Sequence, residues 1–515
     1  MNKTFVNTCI TVALVVSGVA QVKAQSSYTL PKPVQIELNR LEESYNILDQ
    51  FSEKAWPGWN NYLEFPFLMT FQNGLRVLVG HPSPPAGFVI YPKQKVHGLT
   101  VFIDTMNLNN FTVEQPLLCG GGVLPYGTDK NKKPVLSVDV SLTHPTGDAA
   151  IEAEQISAED HILMFMHELM HCYQRKIMKN EYGNLNLNPD LNHALYSDIE
   201  GLALLFAGEQ DSREKALPFL KDFCIARSFK YDGMSKMEKL QARGDEFREG
   251  EAVYTEYIIL ENLKKDFKSQ LTTEMDPGYT QFRDADKYLK IKTDRLREDH
   301  GKTLEISMKN YHYGCFEALM LQHYFPGWQQ EIESGGSLDL VLRKDVRITA
   351  SDSLESLKRF RDLYQIDSLR SKHEKIISGR NATYAMFNSL KGMTYVIDFK
   401  PIRQFISGLA DPKLTRYSLG LLVMFPDGIG SLKFDGVSLE TKPVPTEANQ
   451  LYYIKMVDTN PTKADKPYTI EYQLKEPDDV YRNVVITTPL FTLRAPKVQL
   501  RERENRIKIV ILSRV

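Results

Sequence analysis

The chain has 515 residues, enough for two to four domains, and 42% hydrophobic with 25% charged residues is ordinary globular composition. No collagen-like or coiled-coil repeat and no low-complexity block is present, which excludes those classes. A net charge of -2 gives no electrostatic reason to expect nucleic acid or an anionic membrane as partner.

Residues 1–24 read as a secretory leader. Lys3 is the charged start, Cys9 through Ala20 is a short apolar core, and Val22-Lys23-Ala24 fits the small-x-small pattern before Gln25. That core is short for a membrane span and no second one follows, so the expectation is an exported protein, periplasmic or extracellular, without an integral membrane segment after cleavage. Of the remaining cysteines, Cys119, Cys172, Cys224 and Cys315 are widely spaced and form no zinc or redox motif.

Residues 25–60 open with helical spacing at Ile36, Leu41, Tyr45, Leu48 and Phe51, broken by Trp56-Pro57-Gly58-Trp59. Strand-like runs follow: FPFLMTF, LRVLVG, FVIYP, LTVFIDT and PVLSVDVSL, with Asn73-Gly74 as a hairpin-type turn. CGGGVLPYGTDKNKK reads as a loop without a phosphate-binding pattern. Residues 25–150 are therefore expected to form an N-terminal α/β region that lays a sheet beside the next helix. An edge strand of such a sheet can bind extended substrate by backbone pairing.

That next helix, expected at about residues 158–179 and capped by Ser157 with Asp160, carries HELMH at residues 167–171. One helical turn separates His167 from His171, so both imidazoles project from one face and can reach one metal ion. Glu168 lies beside them, where a general base is needed to take a proton from water. A catalytic zinc commonly has a third protein ligand and one open position. Two glutamates compete for it. Glu200 lies on a helix expected at about 191–208, and Glu249 on one expected at about 236–265, with a further helix at about 213–230 between them. Each is followed by glycine, which lets helices approach closely, and each has small or apolar helix neighbours. The loser can still hold a histidine or an arginine in place.

HELMH followed by Glu249-Gly250-Glu251-Ala252-Val253-Tyr254-Thr255-Glu256, an EGxAxYxE pattern, resembles the gluzincin-type HExxH zinc metallopeptidases over roughly residues 155–345. The resemblance implies zinc, a peptide or protein substrate, and Glu249 as third ligand. Arg248 stands where the similar zinc aminopeptidases have Asn, and the gap from His171 to Glu249 is far longer than theirs. No GAMEN-type motif is present, so aminopeptidase activity does not carry over. Glu256, two turns from Glu249 on the same face, is a candidate to orient a metal-bound histidine. Tyr254, Tyr311, His312 and Tyr313 are candidate donors to an oxyanion, of which Tyr311 and Tyr313 cannot face the same way. His161, His193 and His323 read as packing or surface residues.

Residues 307–328 read as another apolar helix ended by Pro326-Gly327, and residues 351–378 as a charged spacer helix. From about residue 385, short β-rich runs such as TYVIDF, LYYIKMV, NVVITT and IKIVILS suggest a sandwich or small barrel. The expected fold is α+β: leader 1–24, α/β region 25–150, mainly helical metallohydrolase domain 151–345, helical spacer 346–380 and β-sandwich-like domain 381–515. The expected function is an exported zinc-dependent peptidase. Two rivals are an inactive binding or surface-assembly protein on the same scaffold, and a metal hydrolase of non-peptide bonds.

Overall fold

The computed structural model describes residues 29–71, 74–104, 118–143, 157–177, 190–298, 301, 306–399, 401, 422–425, 429–434, 437–449, 453–459 and 467–512. The expected leader, Asn73 and the polar loop after the HELMH helix lie outside them. Helices and strands are mixed. The chain packs as two compact units, each discontinuous in sequence. One comprises Met1–Tyr182, Arg243–Arg295 and Tyr311–Asp345; the other Gly183–Ala242, Leu296–Asn310 and Val346–Val515. No helix among the described residues is long and apolar enough to cross a membrane.

In the first unit, helix α1 (Lys32–Ala55) buries Ile36, Leu41, Tyr45, Leu48 and Phe51, and it stops where Trp56 turns extended. Six strands follow: β1 (Phe67–Phe71), β2 (Arg76–Val79), β3 (Phe88–Val96), β4 (Leu99–Asp104), β5 (Leu118–Thr128) and β6 (Pro134–Thr143). They form one sheet in the order β3-β4-β2-β1-β6-β5, with β1 parallel to β6 and β5 antiparallel to β6 at the edge. The sequence Leu118–Thr128, expected as a loop, is therefore a strand. Glycine weakens a strand and reads as a break, yet it serves where another group must come close to the backbone. At Gly121 a Cβ would stand 2.7 Å from the Cγ of Glu168.

Helix α2 (Ala158–Ile177) carries HELMH. Its start is fixed reciprocally: Ser157 N donates to the Asp160 carboxylate and Asp160 N donates to Ser157 Oγ. Strands β5 and β6 pack on α2, as does α1. The run expected as one helix at 236–265 is helical throughout and contains a π-helical turn. After α3 (Leu191–Gly208) and α4 (Arg213–Tyr231) come α5 (Lys236–Asp245), a π-helical turn at Glu246–Gly250, and α6 (Glu251–Asp266), which packs on α1 and α2. Helices α7 (Ala285–Glu298) and α8 (Ile306–Tyr324) follow. Gly250 and Gly314 are where two of these elements touch: a Cβ on Gly250 would lie 2.3 Å from the Cα of Gly314. Any larger side chain at either position would push α8 away from the π turn.

The second unit contains α3 and α4, which pack on each other, and, among the described residues, eleven strands between Met393 and Ile511. These pair into one branched, curling sheet around an apolar core that includes Tyr395, Ile397, Leu439, Ile454 and Leu493. The expectation was a sandwich or small barrel; the described strands join through Phe491–Arg503, which bonds to three neighbouring strands. The charged spacer is two helices, Ala350–Asp362 and Ile366–Ser389, interrupted at Gln365, whose φ is 53°. A left-handed residue cannot continue a right-handed helix.

Candidate metal centre

His167 and His171 are buried on the face of α2 that looks toward the π turn, with ring centroids 4.6 Å apart and planes at 86°. Their Nε2 atoms lie 3.5 Å and 3.3 Å from the same oxygen, Oε2 of Glu249. Ligands about 2.0–2.1 Å from a tetrahedral zinc stand about 3.3 Å from one another. The spacing is longer than an ordinary hydrogen bond and matches the edge of such a tetrahedron. Glu168 completes the cluster: one of its carboxylate oxygens and the nearest His167 and His171 nitrogens lie within 4.8 Å of one another. Its Oε2 is buried and has no hydrogen-bond partner among the described residues. Donor types, spacing and an orphaned carboxylate oxygen all fit a divalent ion with a base beside it.

The outer atoms fix which nitrogens are free. His167 Nδ1 lies 2.7 Å from Glu256 Oε1, so it carries the proton that the carboxylate accepts. His171 Nδ1 lies 2.8 Å from Gln174 Oε1. The Gln174 amide nitrogen faces three acceptors: Arg248 O at 2.9 Å, Phe247 O at 3.3 Å and Glu251 Oε2 at 3.3 Å. That network leaves no choice of amide orientation, so Oε1 accepts from His171 Nδ1–H. When neutral, each imidazole so held presents its Nε2 lone pair to the shared point.

Glu249 is held from its other side. Arg248 Nε donates to Glu249 Oε1 at 2.9 Å and its Nη2 donates to Asp245 Oδ1 at 3.1 Å. The π turn places these neighbours, and π-helical turns recur at functional sites. Tyr311, one turn before Gly314 on α8, stacks near His167 with centroids 6.3 Å apart and planes at 11°. Glu249 lies close enough to act on its phenol. The close glycine contact is what lets this tyrosine reach the centre.

Electrostatics follow from this crowding. Burial favours the neutral form of His167, but the adjoining Glu249 and Glu256 carboxylates outweigh it and raise its pKa to about 10. Burial likewise opposes ionisation of Glu249, yet its bonds to both histidines hold the carboxyl far below the usual range. Burial pushes Glu168 up, against the pull of the two imidazoles, and pushes the fully buried Glu251 well up. Burial also raises the Tyr311 phenol, reinforced by Glu249.

The remaining candidates sit elsewhere. Glu200 is fully buried in the second unit, where it accepts from Arg227 Nε at 2.7 Å and from Lys230 Nζ at 2.5 Å. The third-ligand alternative is thus corrected: two cations on α4 occupy both of its oxygens. Tyr254 is also corrected as a donor at the centre. Its hydroxyl donates to Gln322 Oε1 and its ring packs edge-on against Trp56 and Trp328. Tyr313 is buried, and Nδ1 of the buried His161 contacts Glu37 and Arg40. Cys172, Cys224 and Cys315 are buried free thiols. Sequence reasoning missed Gln174, although its place three residues after His171 puts it on the same helix face. Gly121 was also missed, and only the pairing of β5 with β6 reveals its role. No family model matches the chain, and no curated protein or solved structure matches it either.

Proposed function

We propose that the chain is a zinc-dependent hydrolase of peptide bonds, with His167, His171 and Glu249 as ligands. The observation that carries this reading is the approach of both Nε2 atoms to one Glu249 oxygen at 3.5 Å and 3.3 Å. Zinc bound there would supply Lewis acidity, polarising a carbonyl and lowering the pKa of water toward neutrality. The chain's own groups do the rest. Glu168, with Oε2 unpartnered, accepts the proton of the attacking water and delivers it to the leaving amine. Tyr311, whose raised pKa keeps its hydroxyl protonated, donates to the oxyanion that develops on the substrate. Gln174 and Glu256 keep the imidazoles oriented.

The edge strand beside Glu168 supports a peptide over other substrates. β5 lies at the end of the sheet, and Gly121 brings its backbone against the Glu168 side chain. An extended peptide can add there as a further strand. Metal analysis of the purified full chain, followed by cleavage assays on a peptide library and an ester panel, tests the reading. Stoichiometric zinc with peptide cleavage supports it. Under about a tenth of a zinc per chain sinks it in favour of a non-catalytic binding protein, and ester cleavage alone moves it to non-peptide bonds.

A further inference from the structure

Arg175 lies on α2 one turn beyond His171 and two turns beyond Glu168, so it continues the face that carries the candidate centre. It is exposed, and no carboxylate pairs with it among the described residues. Its neighbours behave differently. Lys176 pairs with Glu64, and Arg248 pairs with both Glu249 and Asp245. Arg175 is close enough to Arg248 and to Glu168 for each to bias its charge, repelled by the first and attracted by the second. An exposed guanidinium one turn beyond His171, with no carboxylate partner among the described residues, places a positive charge beside the candidate centre. A helix C-terminus also favours a basic residue, but that demand is already met by Lys176 in the same turn.

Resting on the hydrolase reading, we propose that Arg175 is a specificity-determining residue that binds a carboxylate of the substrate close to the bond attacked. Seven helical residues span about 10 Å from Glu168 to Arg175. Extended peptide advances about 3.3 Å per residue, so the anion lies within about three residues of the scissile bond. The guanidinium offers a planar fork that matches a carboxylate with two parallel hydrogen bonds. The carboxylate can be the C-terminus of a short peptide or an Asp or Glu side chain, and both have this chemistry.

The test uses the zinc-loaded full chain and matched peptides. One pair differs as C-terminal acid against amide, the other as Glu against Gln within three residues of the cleaved bond. The wild type is expected to prefer the carboxylate member of at least one pair by on the order of tenfold in kcat/KM, mainly through KM. Whichever pair shows the preference identifies the source of the anion. In Arg175→Gln the ratio falls to about one, while Arg175→Lys keeps part of it. A second readout needs no turnover. Calorimetric binding of the same peptides to Glu168→Gln should show the same preference, and Glu168→Gln/Arg175→Gln should lose it. Melting temperatures confirm that each variant is folded. A preference unchanged in both the Gln and Lys variants, or no preference in the wild type while peptides are cleaved, overturns the inference alone. A wild-type chain that binds no zinc and cleaves no peptide overturns the hydrolase reading and this inference with it.

Discussion

Two glutamates, each on a helix with apolar neighbours and each followed by glycine, have opposite kinds of partner. Around Glu200 in the second unit the charges are closed. Arg227 and Lys230 neutralise Glu200, and Lys309 and His373 bond to its neighbour Asp198. Around Glu249 they are open. Glu168, Glu249 and Glu256 surround two imidazoles, and Arg248 bonds to Glu249. Carboxylates gathered about two imidazole nitrogens suit the proposed divalent ion, whereas a further cation beside Glu200 would be repelled. A local glutamate–glycine signature therefore marks a close helix contact, and the partners arriving from other helices decide whether the carboxylate is structural or available.

Substitutions can break this comparison. The largest expected effect is at Glu168. Glu168→Gln should lower peptide hydrolysis by on the order of 10²–10⁴-fold with zinc content unchanged, read by steady-state kinetics and metal analysis. Near-wild-type turnover would remove Glu168 from the chemistry. Next come the two glutamates themselves. Glu200→Ala leaves two buried cations unpaired and should cost about 3–5 kcal/mol in chemical denaturation while zinc stays bound. Glu249→Ala should do the reverse, losing zinc in a protein that remains folded by circular dichroism. If zinc loss follows Glu200→Ala in a folded protein, the assignment is inverted. Smaller still, Glu256→Gln and Gln174→Leu should each weaken zinc binding by about 10–100-fold, because each lets an imidazole turn. Competition with a chromogenic chelator measures that, and an unchanged affinity for Gln174→Leu would show that His171 needs no orienting partner.

The parts of this arrangement differ in how far the sequence discloses them. HELMH is legible because its chemistry sits within one helical turn, and its start is legible because Ser157 and Asp160 cap locally. The strands Phe67–Phe71 and Pro134–Thr143 announce themselves by β-branched and aromatic runs. Glu249 can be singled out with Glu200, but choosing between them requires the cations of α4, and no local pattern pairs Arg227 with Glu200. β5 is hidden because its run of glycines resembles a loop, although at Gly121 the missing side chain admits Glu168. Tyr311 reaches the centre only through the contact of Gly250 with Gly314, which is long-range in sequence. The single curling sheet is likewise set by pairing between distant strands, which composition and alternation leave open.

The gentlest way to sharpen the comparison is acid, because the closed cluster answers to pH on its own terms. Burial lowers the pKa of His193 to about 3, and the nearby Lys230, Arg227 and Lys309 act in the same direction. Its Nε2 is buried without a hydrogen-bond partner among the described residues, as suits a neutral ring. In the unfolded chain the same imidazole titrates near 6.5. Between those values the unfolded state binds the extra proton, so the contribution of His193 to stability is complete above pH 6.5 and is lost as pH falls toward 3. The loss from pH 6.5 to 5.5 should be about 1 kcal/mol, rising to about 1.4 kcal/mol per unit below. Asp198, held down to about 2 by Lys309 and His373 against the effect of burial, contributes above its unfolded value near 3.8 and is lost only below it, so it stays silent in this window. Urea midpoints of the metal-free protein at pH 6.5 and 5.5 measure the slope, and His193→Leu should flatten it. An equal slope in that variant would place the acid sensitivity elsewhere and would leave the cations of the second unit without their predicted effect on the ring beside them.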